Sequence, residues 1–321
     1  MTQNTIDGVS IIGAGDMGHG LAVHFAAYGH DVTLIDHRES NIERATAQMQ
    51  EVTSFLDERE LIDSTPDATL DRIETTLDLE AGVADNELII ESISEDLDAK
   101  QELFGRIVPA ADEDAILSSN TSGIPITEIA ESTPEAADRI VGCHWWFPPY
   151  LLRPVEVVRG EETADRTVDR LASALEAVDR DPIRVERDIP GFVWNRVQFA
   201  VVRECLHLAE EGVASLSDIN RAIRDGYAVR TSSIGPLETM DIVGLDLAGT
   251  VATNLYPELS DADEPQSVMT DRIEDGRTGI GAGEGFFEYD EPPEAITGRR
   301  DELVAAVREA LDETRDGLDS S

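Results

Sequence analysis

Ile6-Asp-Gly-Val-Ser-Ile-Ile12 runs into Gly13-Ala-Gly-Asp-Met-Gly18, then His19-Gly-Leu-Ala-Val-His-Phe-Ala-Ala-Tyr28, then Asp31-Val-Thr-Leu-Ile35 closed by Asp36. Apolar strand, glycine turn, helical stretch, second strand and terminal acid follow in the order of one βαβ unit. Gly13 permits the tight turn, Gly15 lets the backbone approach a pyrophosphate, and Gly18 lets the helix pack closely on the strand. The helix N-terminus turns N–H groups and positive dipole toward the phosphates. Asp36, about twenty residues on from the glycines, is placed to bond the ribose hydroxyls and repel a 2′-phosphate. That selects NAD over NADP, with Arg38 as the group that speaks for NADP. A βαβ unit whose glycines serve packing alone is the plainer alternative. The strand before, the helix after and the acid beyond weigh against it.

Beyond Asp36 the alternation continues. Strands are predicted at Val9 to Ile12, Asp31 to Ile35, Leu88 to Ser92, Ala115 to Ser119, Ile140 to Cys143, Val155 to Val158 and Ile183 to Val185. Helical segments at Asn41 to Leu61 and Ala68 to Thr75 form an insertion, about residues 41–75. After Asp188-Ile-Pro-Gly191 the strand signal ends. Phe192 to Glu211, Ser217 to Arg224, Pro236 onward and Leu245 to Leu255 carry helical periodicity. Residues 257–285 read as loop, and a final helix runs from about Arg299 to Thr314. The class this implies is α/β, a Rossmann-like doubly wound sheet with a second, all-helical domain. The expected boundaries are 1–187 for the nucleotide domain, 188–290 for a helical substrate and dimerisation domain, and 291–321 for an acidic helix and tail.

Sixty-seven acids against 25 bases give the 321 residues a formal charge of −42, which excludes nucleic acid as a partner. Of the bases only Lys100 is lysine. This skew and the acid load suggest a halophilic source, whose salt would screen the repulsion. No run of apolar residues is long enough to span a bilayer and no signal segment is read, so a cytoplasmic protein without a membrane partner is expected. Cys143 and Cys205 lie singly in apolar runs, which argues against a disulfide framework or a thiolate metal site.

A dehydrogenase acting on an alcohol needs a base for the hydroxyl proton, and histidine suits that work. Of six histidines, His19, His24, His30, His37 and His207 read as packing or surface. His144 ends the strand Arg139-Ile-Val-Gly-Cys143, on the side where open α/β sheets collect ligands. Glu156 lies between valines on the next strand and needs a partner, because burying a carboxylate unpaired is costly. A His144–Glu156 pair would satisfy both, although a strand-end histidine and a solvent-facing acid remain the simpler alternative. Ser122 follows another strand end and Asn195 opens the second domain's first helix. Taken singly, each is a turn former or helix-start residue.

The ordered set Gly13-Ala-Gly-Asp-Met-Gly18, Glu91-Ser-Ile-Ser-Glu-Asp-Leu-Asp-Ala-Lys100, Ser119-Asn-Thr-Ser122, His144, Val155-Glu-Val157, Pro190-Gly-Phe-Val-Trp-Asn-Arg196, Gly235-Pro-Leu-Glu-Thr-Met-Asp-Ile-Val-Gly-Leu-Asp246 and Gly283-Glu-Gly-Phe286 resembles the L-3-hydroxyacyl-CoA dehydrogenase family over roughly residues 6–290. The resemblance implies that His144 is the general base, Glu156 its orienting partner, and that Ser122 and Asn195 bond the reacting oxygen. It further implies that Gly13, Gly15, Asp16, Met17, Gly18, Asp36, Glu95, Lys100 and Asn120 surround NAD, and that the protein is a homodimer.

One departure bears on the substrate. The family follows its histidine with an aromatic-Asn-Pro segment, whereas here Phe147 stands in the asparagine's place within His144-Trp-Trp-Phe-Pro-Pro-Tyr150. The Pro-Pro-Tyr form resembles relatives acting on small 3-hydroxy acids, the L-carnitine and L-gulonate 3-dehydrogenases. Four aromatics in six residues could enclose a quaternary ammonium or simply fill core. Gln50 to Asp63 is acidic with Arg59 its sole base, where coenzyme A-using members are lysine-rich. The first reading is NAD-dependent oxidation of a 3-hydroxyacyl-CoA. The second is oxidation of a small free 3-hydroxy acid, and a catalytically idle NAD-binding relative is the third.

Overall fold

The computed structural model describes residues 6–319, with 314–319 as backbone alone. The chain divides into two compact units, the boundary lying between Arg196 and Val197.

The first unit is built on one sheet of eight strands: β1 (Gly8–Ile12), β2 (Asp31–Ile35), β3 (Ile73–Thr76), β4 (Leu88–Glu91), β5 (Ile116–Ser119), β6 (Ile140–Trp145), β7 (Pro154–Val158) and β8 (Asp181–Val185). Their order is β3-β2-β1-β4-β5-β6-β7-β8, parallel throughout except where β6 meets β7. β1 is buried at every position between two neighbours, so its sequence is nearly continuous in apolar residues rather than alternating. The crossovers carry α1 (Gly18–Ala27), α2 (Glu39–Glu58), α3 (Pro66–Leu70), α4 (Leu79–Val83), α5 (Leu97–Ile107), α6 (Ile126–Ala130) and α7 (Asp165–Ala177). This is the Rossmann-like doubly wound arrangement expected from the alternation of elements.

The helical insertion is shorter than its periodicity suggests. α3 stops at Leu70, and Ile73–Thr76, whose first three residues fall in the segment read as helix, pairs with β2 as an edge strand. Its residues are exposed or half-buried, so no apolar run marks it.

The second unit is helical. After α8 (Trp194–Glu210), which begins in the first unit, come α9 (Leu216–Ala222), a π-helical turn at Ile223–Ala228, α10 (Val229–Ser233), α11 (Pro236–Val243), α12 (Leu245–Leu255), α13 (Ser267–Glu274) and α14 (Pro293–Asp319). α13 lies in the span read as loop, and α14 starts six residues earlier than its apolar spacing indicated. Residues 320–321 of the expected tail lie outside the described residues. Few apolar side chains of this unit are buried, among them Leu206, Ile219 and Ala305, whereas Leu237 is 81% and Ile242 71% exposed.

Candidate active site

Antiparallel pairing of β6 and β7 sets His144 directly opposite Glu156. Their side chains therefore leave the same face of the sheet, and His144 Nδ1 lies 2.7 Å from Glu156 Oε2. Glu156 has no exposed surface. Its second oxygen accepts the backbone N–H groups of Val193 (2.8 Å) and Trp194 (3.0 Å), at the start of α8. Burial alone would raise this carboxyl, but the His144 bond and the two N–H donors outweigh it and hold Glu156 below the ordinary glutamate range. An ionised Glu156 makes Nδ1 the donor, which leaves the Nε2 lone pair free; among the described residues nothing bonds Nε2.

A turn delivers those two donors. Gly191 (φ +78°) and Phe192 (φ +49°) both adopt left-handed backbone, which re-aims the chain so that the next two N–H groups face Glu156. The helix consequently starts at Trp194, two residues later than its periodicity suggests. The Phe192 ring is buried beside His144, centroids 5.8 Å apart.

The glycine loop forms where β1 ends. Gly13 has φ +109°, and a Cβ there would lie 2.4 Å from the Ser92 carbonyl oxygen; one on Gly18 would lie 1.8 Å from that of Gly13. Both positions admit only glycine. Gly15 is the converse: a Cβ on it would meet no protein atom within 4 Å, which leaves an open cradle above the loop. No side chain caps the first turn of α1, flanked by Asp16 and Met17. Asp36 accepts the Ala14 N–H (2.9 Å), the Arg38 N–H (2.9 Å) and the Asn41 amide (3.0 Å). Against its burial these donors hold it below the usual aspartate range. The open cradle, uncapped helix start and fixed anion at the end of β2 fit the pyrophosphate and ribose of a dinucleotide.

Beyond the loop lies a network that sequence reasoning resolved only in part. Lys100, the chain's single lysine, is 1% exposed, 2.6 Å from Glu91 and 3.5 Å from Glu95. Glu91, fully buried and not among the expected site residues, also accepts the Ser119 hydroxyl (2.5 Å) and the Ile93 N–H (2.7 Å). The signal for it was available: an acid closing the apolar strand Leu88-Ile-Ile-Glu91 requires a partner. One oxygen of Glu95 gathers the Thr121 hydroxyl (2.8 Å), both N–H and O–H of Ser122 (2.9 and 3.1 Å), and the Gly123 N–H (3.1 Å). Asn195 donates to the Ser122 carbonyl at 2.7 Å, so these two expected partners of the reacting oxygen are joined to each other. Asn120 accepts the Trp145 N–H at 2.8 Å and ties β5 to the end of β6.

The aromatic run after His144 divides by face. Trp145 is buried against His24 and Phe25 of α1 (centroids 5.4 and 5.6 Å), with the Arg180 guanidinium over its ring. Tyr150 is buried, Phe147 is 48% exposed, and Trp146 stacks on Trp194 with centroids 4.0 Å apart. Cys143 sits in the core, where burial pushes its thiol up to about 12 against the opposing Trp145 N–H bond. Cys205 is half-buried.

Residues 8–189 match the family model of the 3-hydroxyacyl-CoA dehydrogenase NAD-binding domain, and residues 191–289 that of the C-terminal domain. The 5-formyl-3-hydroxy-2-methylpyridine 4-carboxylate 5-dehydrogenase of Mesorhizobium japonicum is 33% identical over 310 residues, 96% of this chain and 99% of the relative. A solved structure of a 5-formyl-3-hydroxy-2-methylpyridine 4-carboxylic acid 5-dehydrogenase, an NAD+-dependent dismutase, superposes with TM-score 0.90 at 32% identity, over 96% of this chain and 99% of that one. The (S)-3-hydroxybutyryl-CoA dehydrogenase of Ralstonia eutropha superposes with TM-score 0.73 at 30% identity, over 89% and 100%.

Proposed function

The chain belongs to the 3-hydroxyacyl-CoA dehydrogenase family and is an NAD-dependent oxidoreductase, and from that premise we propose that it reversibly oxidises the hydroxyl of a small free hydroxy acid, with His144 as the base. The observation that carries the chemistry is the His144–Glu156 pair, with its carboxylate pinned by the N–H groups of Val193 and Trp194.

NAD supplies the hydride acceptor. The loop Gly13 to Gly18, with Asp16 and Met17, holds its pyrophosphate, and Asp36 holds its ribose. Beside the cofactor, Lys100 braces Glu95 from within the core, Glu95 holds the Ser122 turn, and Asn120 ties that turn to the end of β6. His144 Nε2 takes the hydroxyl proton, and Glu156 stabilises the imidazolium that forms. In the reverse direction the imidazolium returns that proton to the forming alkoxide. Ser122 and Asn195 polarise the reacting oxygen, Ser122 by turning its hydroxyl away from Glu95.

Support for a free acid comes from α2 and the turn after it. Glu51, Asp57, Glu58, Glu60 and Asp63 leave Arg59 as the sole cation from Gln50 to Asp63, and its guanidinium lies over the Phe55 ring. A coenzyme A 3′-phosphate would meet repulsion there. The full-length likeness to a dehydrogenase of a free pyridine carboxylate agrees. A 3-hydroxyacyl-CoA is the second reading, favoured by the likeness to the (S)-3-hydroxybutyryl-CoA enzyme. A homodimer in a salt-rich cytoplasm completes the proposal.

NADH absorbance followed in about 1 M KCl tests it, with acetoacetyl-CoA plus NADH in one assay and free hydroxy acids plus NAD in the others. Turnover confined to free acids is the expected result. Turnover of acetoacetyl-CoA alone returns the protein to the acyl-CoA reading.

A further inference from the structure

Side chains two apart on a strand leave the same face, so Trp146, the residue just past β6, continues the face of His144 while Trp145 turns to the other. Trp145 is accordingly the one buried against α1. On the His144 face, Trp146 meets Trp194, whose own N–H is bonded to Glu156 and whose next residue is Asn195. The two indoles lie 4.0 Å apart at 20°, and both are half-buried, so the stack keeps surface toward its surroundings. The Trp146 indole N–H is shut from solvent and has no acceptor among the described residues. Neither ring takes part in the proton transfer, and neither belongs to the cofactor loop.

We propose that the Trp146–Trp194 stack is the specificity-determining wall of the substrate pocket, and that it selects a hydroxymethyl or formyl group carried on a flat, carboxylate-substituted ring over a hydroxyl or carbonyl on a flexible chain. This rests on the free-acid reading above and narrows it. An indole pair presents a rigid planar face, on which an aromatic ring gains offset stacking that an alkyl chain cannot match. Because Trp194 is fixed through its backbone to Glu156, a ring stacked beside it is presented to His144 with little further loss of freedom. The quaternary-ammonium cage allowed by the sequence is not assembled from the 145–150 run. Trp145 and Tyr150 are in the core, and Trp146 is covered on one face by Trp194.

Trp146→Val and Trp146→Phe in the full-length protein test the assignment, since both leave Trp194 and its N–H on Glu156 in place. Three readouts are taken in molar KCl: kcat/KM for a hydroxymethyl- or formyl-pyridine carboxylate, kcat/KM for the flexible free acid 3-hydroxybutyrate, and quenching of tryptophan fluorescence by unreactive pyridine-4-carboxylate. Trp146→Val is expected to lower kcat/KM for the ring substrate by about tenfold or more. Turnover of 3-hydroxybutyrate should be unchanged or increased, NADH affinity unchanged, the quench weakened, and Trp146→Phe should recover the ring preference. An equal fall for both substrates, or an unchanged value for the ring substrate, overturns the proposal. If the wild type turns over acetoacetyl-CoA alone, the free-acid reading fails. A pyridine-4-carboxylate quench that still depends on Trp146 would then support ring binding by the stack, and its absence would overturn that too.

Discussion

Glu156 carries charge with no exposed surface, and every compensation for that is local: one imidazole and two backbone N–H groups. Glu156→Gln keeps the shape but loses the charge that fixes the His144 tautomer, so kcat should fall by about 10²–10⁴-fold. His144→Ala should fall at least as far, with NADH still binding in both; an unchanged rate in His144→Ala would show that another base acts. Glu156, Glu95 and Asp36 are all held below their ordinary ranges. The stability they contribute is complete above the unfolded carboxylate range, about pH 4, and is lost as pH falls through their folded values. Urea midpoints measured at falling pH should therefore drop, and drop less steeply in Glu156→Gln; identical slopes would refute the assignment. Lys100 differs in kind from the chain's arginines, because a compact ammonium fits between Glu91 and Glu95 where a planar fork is too large. Lys100→Met leaves Glu91 buried with two hydrogen-bond donors but no counter-ion, which should cost about 3–5 kcal/mol in urea unfolding. The paired change with Glu91→Leu should recover part of that loss.

At the scale of elements, close approach decides most of the site. α1 comes so near β1 that a Gly18 Cβ would collide with the Gly13 carbonyl, and backbone cannot yield as a side-chain tip can. Gly18→Ala should cost about 3 kcal/mol or more and abolish NADH binding, whereas Gly15→Ala should leave stability intact and weaken NADH alone. Equal thermal shifts in the two variants would mean that the open space over Gly15 is not where the cofactor lies. These glycines were legible because strand, turn and helix are contiguous in sequence, and the His144–Glu156 pairing was legible because two apolar strands each carried one polar residue. What escaped had no local signature. β3 has no apolar run because it sits at an exposed edge. The left-handed Phe192 turn and the four donors on Glu95 depend on segments brought together only by the fold.

At the scale of the whole molecule two features oppose each other. A formal charge of −42 makes every copy repel every other, while the second unit exposes Leu237, Ile242, Val243, Leu245, Leu247 and Val251 along α11 and α12. Apolar surface of that extent is stable in water when a partner covers it, and closed two-fold pairing is the commonest solution. Two copies in contact bring their charges within each other's field, so association needs ions that shorten the range of repulsion. The Debye length falls from about 10 Å at 0.1 M salt to about 3 Å at 1 M. The surface ion pairs, such as Arg166–Asp138 and Arg184–Asp169, are exposed and offset little of the excess. Salt, association and folding are therefore expected to move together. Sedimentation in about 1 M KCl should show a dimer whose Tm rises with protein concentration, and dialysis into dilute buffer should dissociate it and lower its Tm. Leu237→Arg with Ile242→Arg should yield a monomer even at high salt, with the first unit still binding NADH. A dimer that persists in both the variant and dilute buffer would place the contact elsewhere and remove the case for salt dependence.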